Sequence, residues 1–201
     1  MSTERPKRPS QRVSKKRSRS SALAETTSRV LIRPPTAADC ITFLAAVRRS
    51  RSLHQPWVSP PNTQEKYGHY LERHVSHEHW GFLVIHKDTN DLVGVVNINH
   101  VICGNLLGAY LGYYAFAPFA GKGLMREGIM LVLDYAFRKM KLHRLEANIQ
   151  PENKSSIALA KKCGFVKEGF SKRYLKIGGR WRDHERWAIL AETFKRPPDF
   201  P

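Results

Sequence analysis

The sequence predicts an α+β fold (α/β mixed) in which a mixed, mostly antiparallel sheet carries helices on its faces. Three observations predict it. Short β-branched and aromatic runs alternate with segments of helical period, three strand-like runs follow closely enough to pair as neighbours, and the chain closes on a hairpin signal at Gly178-Gly179. At 201 residues, 41% hydrophobic and 10% aromatic, the chain suits one domain with a proper core and is short for two.

Order is expected from near Thr27. Val30-Leu31-Ile32-Arg33, closed by Pro34-Pro35, forms a first strand. Thr36 or Asp39 can cap a helix in which Ile41, Leu44, Ala45 and Arg48 fall at helical spacing. Residues 51–62 hold Pro56, Pro60 and Pro61 around Trp57 and read as an irregular loop. Tyr67, Tyr70, Leu71 and Val75 recur at three- and four-residue steps, which predicts a helix over 63–78. Residues 81–87 and 92–99 are hairpin partners across Asp88-Thr89-Asn90-Asp91, and residues 109–116 form the fourth strand. Residues 122–139 have a broad apolar face from Leu124, Ile129, Leu131, Val132, Tyr135, Ala136 and Met140. A strand over 144–149 follows, then a helix over 153–162 that Gly164 can close in a left-handed cap. Strands over 166–177 and 180–191 complete the chain.

The net charge of +17 is unevenly spread. Residues 1–20 hold eight basic residues against Glu4 alone and account for +7, leaving +10 for the rest. Residues 1–28 are expected to be a disordered basic tail, residues 29–195 the folded domain, and residues 196–201 a C-terminal tail. A basic protein is drawn to polyanions, so RNA or ribosome proximity is one reading of the tail; a targeting segment is another, and a solubilising extension a third. Cys40, Cys103 and Cys163 are odd in number and outside any C-x-x-C pair, and read as reduced, mostly buried thiols of a cytoplasmic protein. No segment approaches the roughly 20 apolar residues that span a bilayer, so no membrane association is expected. His69, His74, His77 and His79 lack the spacing of a ligand set, and no metal is expected.

The richest stretch is GYYAFAPFAGKGLMREG, residues 112–128. An aromatic strand breaks at Pro118, passes Gly121 and Gly123, and enters a helix. That arrangement places free backbone N–H groups and a helix N-terminus at one point, a site for phosphate or pyrophosphate. A plain strand-to-helix turn would have the same glycines.

Further motifs join it: Asn153-x-x-Ser156 opening the next helix and Lys162-Cys163-Gly164-Phe165 closing it. Together with the element order they make residues 29–192 resemble the GNAT superfamily of acyl-CoA-dependent N-acetyltransferases. The segments EANIQPENKSSIALAKKCGFVKEG and RYLKIGGRWRDHERWAIL are similar to its RimJ/RimL branch, the ribosomal-protein alanine N-acetyltransferases. The resemblance implies a sheet splayed between strands four and five, with acetyl-CoA as co-substrate. Its pantetheine arm would add to the backbone of Tyr113, Tyr114, Ala115 and Phe116 like a short strand. Its pyrophosphate would meet the N–H groups from Gly121 to Met125 (Gly121, Lys122, Gly123, Leu124, Met125), with charge from Lys122 and Arg126. Where the superfamily pattern has Gln or Arg, this chain has Pro118, so a side-chain role there is lost.

By the same resemblance Glu146, on the fifth strand, stands where relatives carry a base; the competing reading pairs it with Arg144 on the same strand face. The tyrosine that many relatives use as acid is replaced by Ala160, which turns attention to Ser156, with Tyr174 in reserve. Ser156 can equally be a first-turn cap. Asn153 has two readings as well, helix cap or partner of a pantetheine amide. Trp57 and Trp80 either line the acceptor groove or pack in the core. The implied function is acetyl transfer, by direct attack in a ternary complex, to a protein N-terminal amine, the alanine of a ribosomal protein being the branch's acceptor class. The alternatives are a small-molecule amine acceptor (antibiotic, polyamine or amino acid) and a basic RNA or ribosome assembly factor on the same scaffold.

Overall fold

A computed structural model describes residues 28–74 and 76–196. Ser28 is buried, with its hydroxyl on the Val30 carbonyl (3.0 Å). The expectations for the rest of the basic tail, for Val75 and for residues 197–201 lie outside the described residues.

Seven strands form one sheet in the order β1-β2-β3-β4-β5-β7-β6. They are β1 (Val30–Arg33), β2 (Trp80–His86), β3 (Leu92–Ile102), β4 (Gly108–Ala115), β5 (Arg144–Ile149), β6 (Val166–Ile177) and β7 (Arg180–Leu190). Every neighbouring pair is antiparallel except β4 with β5. The helices are α1 (Cys40–Arg49), α2 (Arg51–His54), α3 (Gln64–Arg73), α4 (Leu124–Asp134) and α5 (Lys154–Lys162).

Strand alternation sorts the apolar residues onto two faces. Leu83, Ile85, Val95, Tyr114 and Phe116 meet Phe43, Ala46, Val47 and Tyr67 of α1 and α3. Phe82, Val84, Ile98, Leu111, Leu145 and Ala147 meet Ile129, Val132 and Leu133 of α4, and Ile157 and Ala160 of α5. Helices therefore cover both faces, as the sequence predicts.

Local departures from the sequence reading have physical causes. Residues 51–54 form the short helix α2 inside the expected irregular loop, with the buried His54 fixing its end. The helix expected over 63–78 spans only Gln64–Arg73. Thr63 is its cap, accepting from the Lys66 N–H at 3.2 Å, and His74 closes it by donating from Nδ1 to the Tyr70 carbonyl at 2.5 Å. The helix expected over 122–139 starts at Leu124, because Gly123 has φ +81, and finishes in a π turn over Tyr135–Lys139. Of the three thiols only Cys163 is buried; Cys40 is half-buried and Cys103 exposed, which corrects the expectation of mostly buried thiols.

α4 lies close enough to β2 that a Cβ on Gly128 would stand 2.6 and 2.7 Å from the Val84 γ carbons. Val84 is fully buried and β-branched, so it has nowhere to go. Gly128→Ala is expected to destabilise the fold by about 1–3 kcal/mol, despite alanine's better helix propensity. Thermal unfolding checks this, and an unchanged or raised midpoint would contradict the close approach.

Candidate functional site

The parallel pairing of β4 with β5 is short. Gly108, Ala109 and Tyr110 face Arg144, Leu145 and Glu146, and beyond them the strands share no partners. The sheet thus opens between the C-terminal halves of β4 and β5. The Phe116 N–H donates to Val93 of β3 at 2.8 Å, so residues of that parity turn their backbone to β3. Tyr113 and Ala115, of the other parity, turn theirs into the gap. The four-residue edge expected from sequence is therefore two residues: Tyr114 and Phe116 direct their backbone the other way and bury their rings under α1 and α3.

The gap also holds a residue that sequence reasoning missed. His54 Nε2 lies 2.8 Å from the Ala115 carbonyl, and the ring stands edge-on to Tyr114 and Phe116 at 5.2 and 5.8 Å. A carbonyl only accepts, so Nε2 carries the proton, which leaves Nδ1 as a buried lone pair with no partner among the described residues. Three residues on, the Trp57 carbonyl accepts from Gln150, at the end of β5, at 3.4 Å. The segment after α2 thereby bridges the mouth of the gap from β4 to β5.

At the end of β4 the chain turns through Gly121 (φ +79) and Gly123 (φ +81) into α4. These left-handed conformations favour glycine. The N–H groups of Gly121, Gly123, Leu124 and Met125 have no acceptor among the described residues, while the next, Arg126, is already paired to Gly123. Unpaired donors at a helix N-terminus are where an anion fits. The loop is braced by Arg29, which binds Glu127 at 2.5 Å and the Lys122 carbonyl at 3.2 Å. Arg126 has part of its guanidinium committed, since Nε donates to the Lys162 carbonyl at 3.1 Å and ties the start of α4 to the end of α5. Lys122 sits over the Phe119 ring at 5.8 Å.

On the α5 side, Asn153 is the helix cap: Oδ1 accepts from the Ser156 N–H at 3.1 Å and from Ser155 Oγ at 3.0 Å. Its amide NH₂ has no partner among the described residues. The Ser156 hydroxyl is not a cap. It donates to the Tyr113 hydroxyl at 2.9 Å, which in turn donates to the Ser156 carbonyl at 3.1 Å. Burial pushes the Tyr113 phenol up, so it remains protonated.

Glu146 and Arg144 lie on one face of β5, opposite the buried Leu145 and Ala147. Arg144 Nε donates to Glu146 Oε1 at 2.8 Å, and its other nitrogens bind Glu168 of β6. Glu146 Oε2 has no partner among the described residues. Hydrogen bonding to Arg144 holds the Glu168 carboxyl below its ordinary range, and Glu168 in turn raises Arg144. Tyr110 is on the same face, its phenol raised by the Tyr174 hydroxyl beside it and by burial. The structure thus gathers Tyr110, Arg144, Glu146 and Tyr174 at the base of the gap.

Trp80 packs against the core beside Tyr135 at 6.0 Å, whereas Trp57 belongs to neither core cluster. No group of three metal-ligating side chains occurs among the described residues, and none of their helices is long and apolar enough to cross a membrane. A concavity of about 570 Å³ lies between α1 and α3, and none of its lining residues belongs to β4 or β5.

Burial lowers the pKa of His54, His74, His79 and His184. Below the unfolded value of about 6.5 the unfolded chain takes up protons that the native state refuses. Stability is therefore expected to fall from pH 7 to pH 5, by up to about 1.4 kcal/mol per pH unit for each histidine. Urea unfolding at a series of pH values tests this; a flat profile would contradict it.

A sheet opened between parallel neighbours, with strand backbone turned into the opening and unpaired helix N–H groups beyond it, is a geometry that suits a long, amide-bearing ligand with a phosphate head. Residues 29–166 match the acetyltransferase (GNAT) domain, and the chain belongs to that family and is an N-acetyltransferase. It is 33% identical over 172 residues to the ribosomal protein uS5-alanine N-acetyltransferase of Escherichia coli, spanning 82% of this chain and 89% of that protein. The structure superposes on Mycobacterium smegmatis RimJ in complex with CoA-disulfide with a TM-score of 0.74, at 28% identity, over 81% of this chain and 82% of that one. Spermidine N(1)-acetyltransferase of Vibrio cholerae is 25% identical over 157 residues, 77% of this chain and 89% of that protein. GNAT acetyltransferases use acetyl-CoA, and the free N–H groups and open strand edge fit that co-substrate.

Proposed function

We propose that the chain acetylates a protein N-terminal amine, the alanine of a ribosomal protein being the acceptor class, in the cytoplasm. One observation carries the choice of acceptor. A polyamine is a polycation and calls for free carboxylates around its groove, yet Glu146 and Glu168, the carboxylates gathered at the base of the gap, both face Arg144. An α-amine, with a pKa of about 7.7–8, is partly neutral at pH 7 and needs only a modest base. The likeness to the uS5-alanine enzyme supports the same acceptor.

In this reading Tyr113 and Ala115 offer backbone groups to the pantetheine amides, and the Asn153 amide is a further donor. Gly121, Gly123, Leu124 and Met125 offer N–H groups to the pyrophosphate, with Lys122 adding charge. Acetyl-CoA supplies an activated thioester: the acceptor nitrogen bonds to its carbonyl carbon, the C–S bond breaks, and the sulfur leaves as a thiol. Glu146 Oε2 takes the amine proton directly or through water, while Arg144 holds the other oxygen. The Ser156 and Tyr113 hydroxyls form a pair able to pass a proton to the departing sulfur. The basic surplus supports dwelling near ribosomal RNA.

Turnover of acetyl-CoA with peptides beginning in Ala, Ser or Met, set against spermidine and other small amines, tests the acceptor. Activity on peptides alone is expected. Activity on small amines alone would overturn the reading, and no turnover with salt-sensitive RNA binding would favour an assembly factor.

A further inference from the structure

We propose that the outer half of the β6–β7 hairpin, residues 170–182, is a binding surface for single-stranded RNA. The segment FSKRYLKIGGRWR contains five basic residues, three aromatics and no acid. Trp181 is 61% exposed and Phe170 47% exposed. Trp181 pairs across the strands with the exposed Lys176, and by alternation both lie on the same face of the hairpin as Phe170, whose partner is Glu185.

The nearby acids are occupied. Glu168 binds Arg144, Glu185 binds Lys167, and Asp183 accepts the Arg173 N–H at 2.7 Å. Among the described residues, Lys172, Lys176 and Arg180 have no carboxylate partner.

β6 is the last strand of the sheet, and lysines along such an edge discourage edge-to-edge pairing. That accounts for Lys172 and Lys176. It does not account for an exposed tryptophan between Arg180 and Arg182 on β7, where β7 has run past the end of its pairing with β5 at Glu185 and keeps β6 as its strand neighbour. Cations that track a backbone, interleaved with aromatic faces on which bases stack, are the chemistry of single-strand recognition. A second copy of this chain would bring the same positive charge to the same patch. The choice of RNA over DNA rests on the ribosomal acceptor proposed above.

The test uses the full chain and a fluorescein-labelled 20-nucleotide RNA single strand, with anisotropy read across a salt series. The same sequence as DNA and an RNA duplex are the comparison arms. The basic N-terminus is present throughout, so the hairpin's share is the difference between variants. Trp181→Ala is expected to weaken RNA binding about tenfold with little change in salt slope. The double variant Lys176→Glu, Arg180→Glu is expected to flatten the slope by roughly 1.4, for two phosphate contacts at about 0.7 each. Peptide acetylation should be unchanged in both. Unaltered affinity and slope in both variants would overturn the proposal, as would DNA or duplex binding as tight as that of the RNA strand. A dimer that Trp181→Ala dissociates, with RNA binding intact, would assign the surface to a second copy and overturn it too. Loss of peptide acetylation by the wild type, with the RNA results intact, would count against the acceptor and leave the hairpin standing.

Discussion

Replacing Gly121 and Gly123 together by alanine is expected to raise the KM for acetyl-CoA about a hundredfold, with little change in kcat at saturation. Both residues sit near φ +80, where a side chain costs about 1–2 kcal/mol each. The loop relieves that strain by relaxing, and the N–H groups of Gly121, Gly123, Leu124 and Met125 then cease to converge. At about 1.4 kcal/mol per factor of ten, two such costs give the stated rise. Overpacking is not the cause. An added Cβ at Gly121 meets nothing within 4 Å, and one at Gly123 meets Arg29 at an ordinary 3.4 Å. Initial rates against cofactor concentration, with a thermal midpoint for each variant, separate the effects. An unchanged KM would remove the glycine turn from the cofactor site.

Glu146→Gln is expected to lower kcat about a hundredfold at pH 7 while leaving cofactor affinity intact. The amide keeps an acceptor for Arg144 and so preserves the local bonding. What it loses is the ability to take a proton at the second oxygen. The deficit should shrink above pH 9, where an α-amine of pKa about 7.7–8 is already neutral. That convergence distinguishes a base from a residue that merely positions Arg144, for which the loss would be the same at every pH. Wild-type rates in the variant at pH 7 would remove Glu146 from proton transfer.

Much of the fold was legible because its signals are local. The strands Val30–Arg33, Arg144–Ile149 and Val166–Ile177 fall where the β-rich runs and their Pro and Gly boundaries put them. The glycine turn carried its own evidence in spacing. The ion pair of Glu146 with Arg144 was one of two open readings, since residues two apart share a strand face.

Long-range features were not legible. Which of residues 113–116 faces the gap depends on the register of β4 against β3, and two antiparallel registers differ by a single residue. Glu168 reaches Arg144 only because β6 shifts register between Lys167 and Gly169. His54 gave no signal at all: it is a lone histidine in a proline-rich stretch, and its partner Ala115 lies 61 residues away. Ser156 looked like a helix cap because Asn153 and Ser156 are both cap residues; only the Tyr113 hydroxyl, 43 residues distant, reveals where its proton goes.

The central claim is that the open edge of β4 and the N-terminus of α4 form one continuous cofactor site. Amide hydrogen exchange with and without CoA, resolved to single residues, tests it most directly. Slowed exchange is expected at Tyr113 and Ala115 and at Gly121, Gly123, Leu124 and Met125 together, with Tyr114 and Phe116 little changed. CoA binding that leaves those six amides exchanging at their free rates would contradict it.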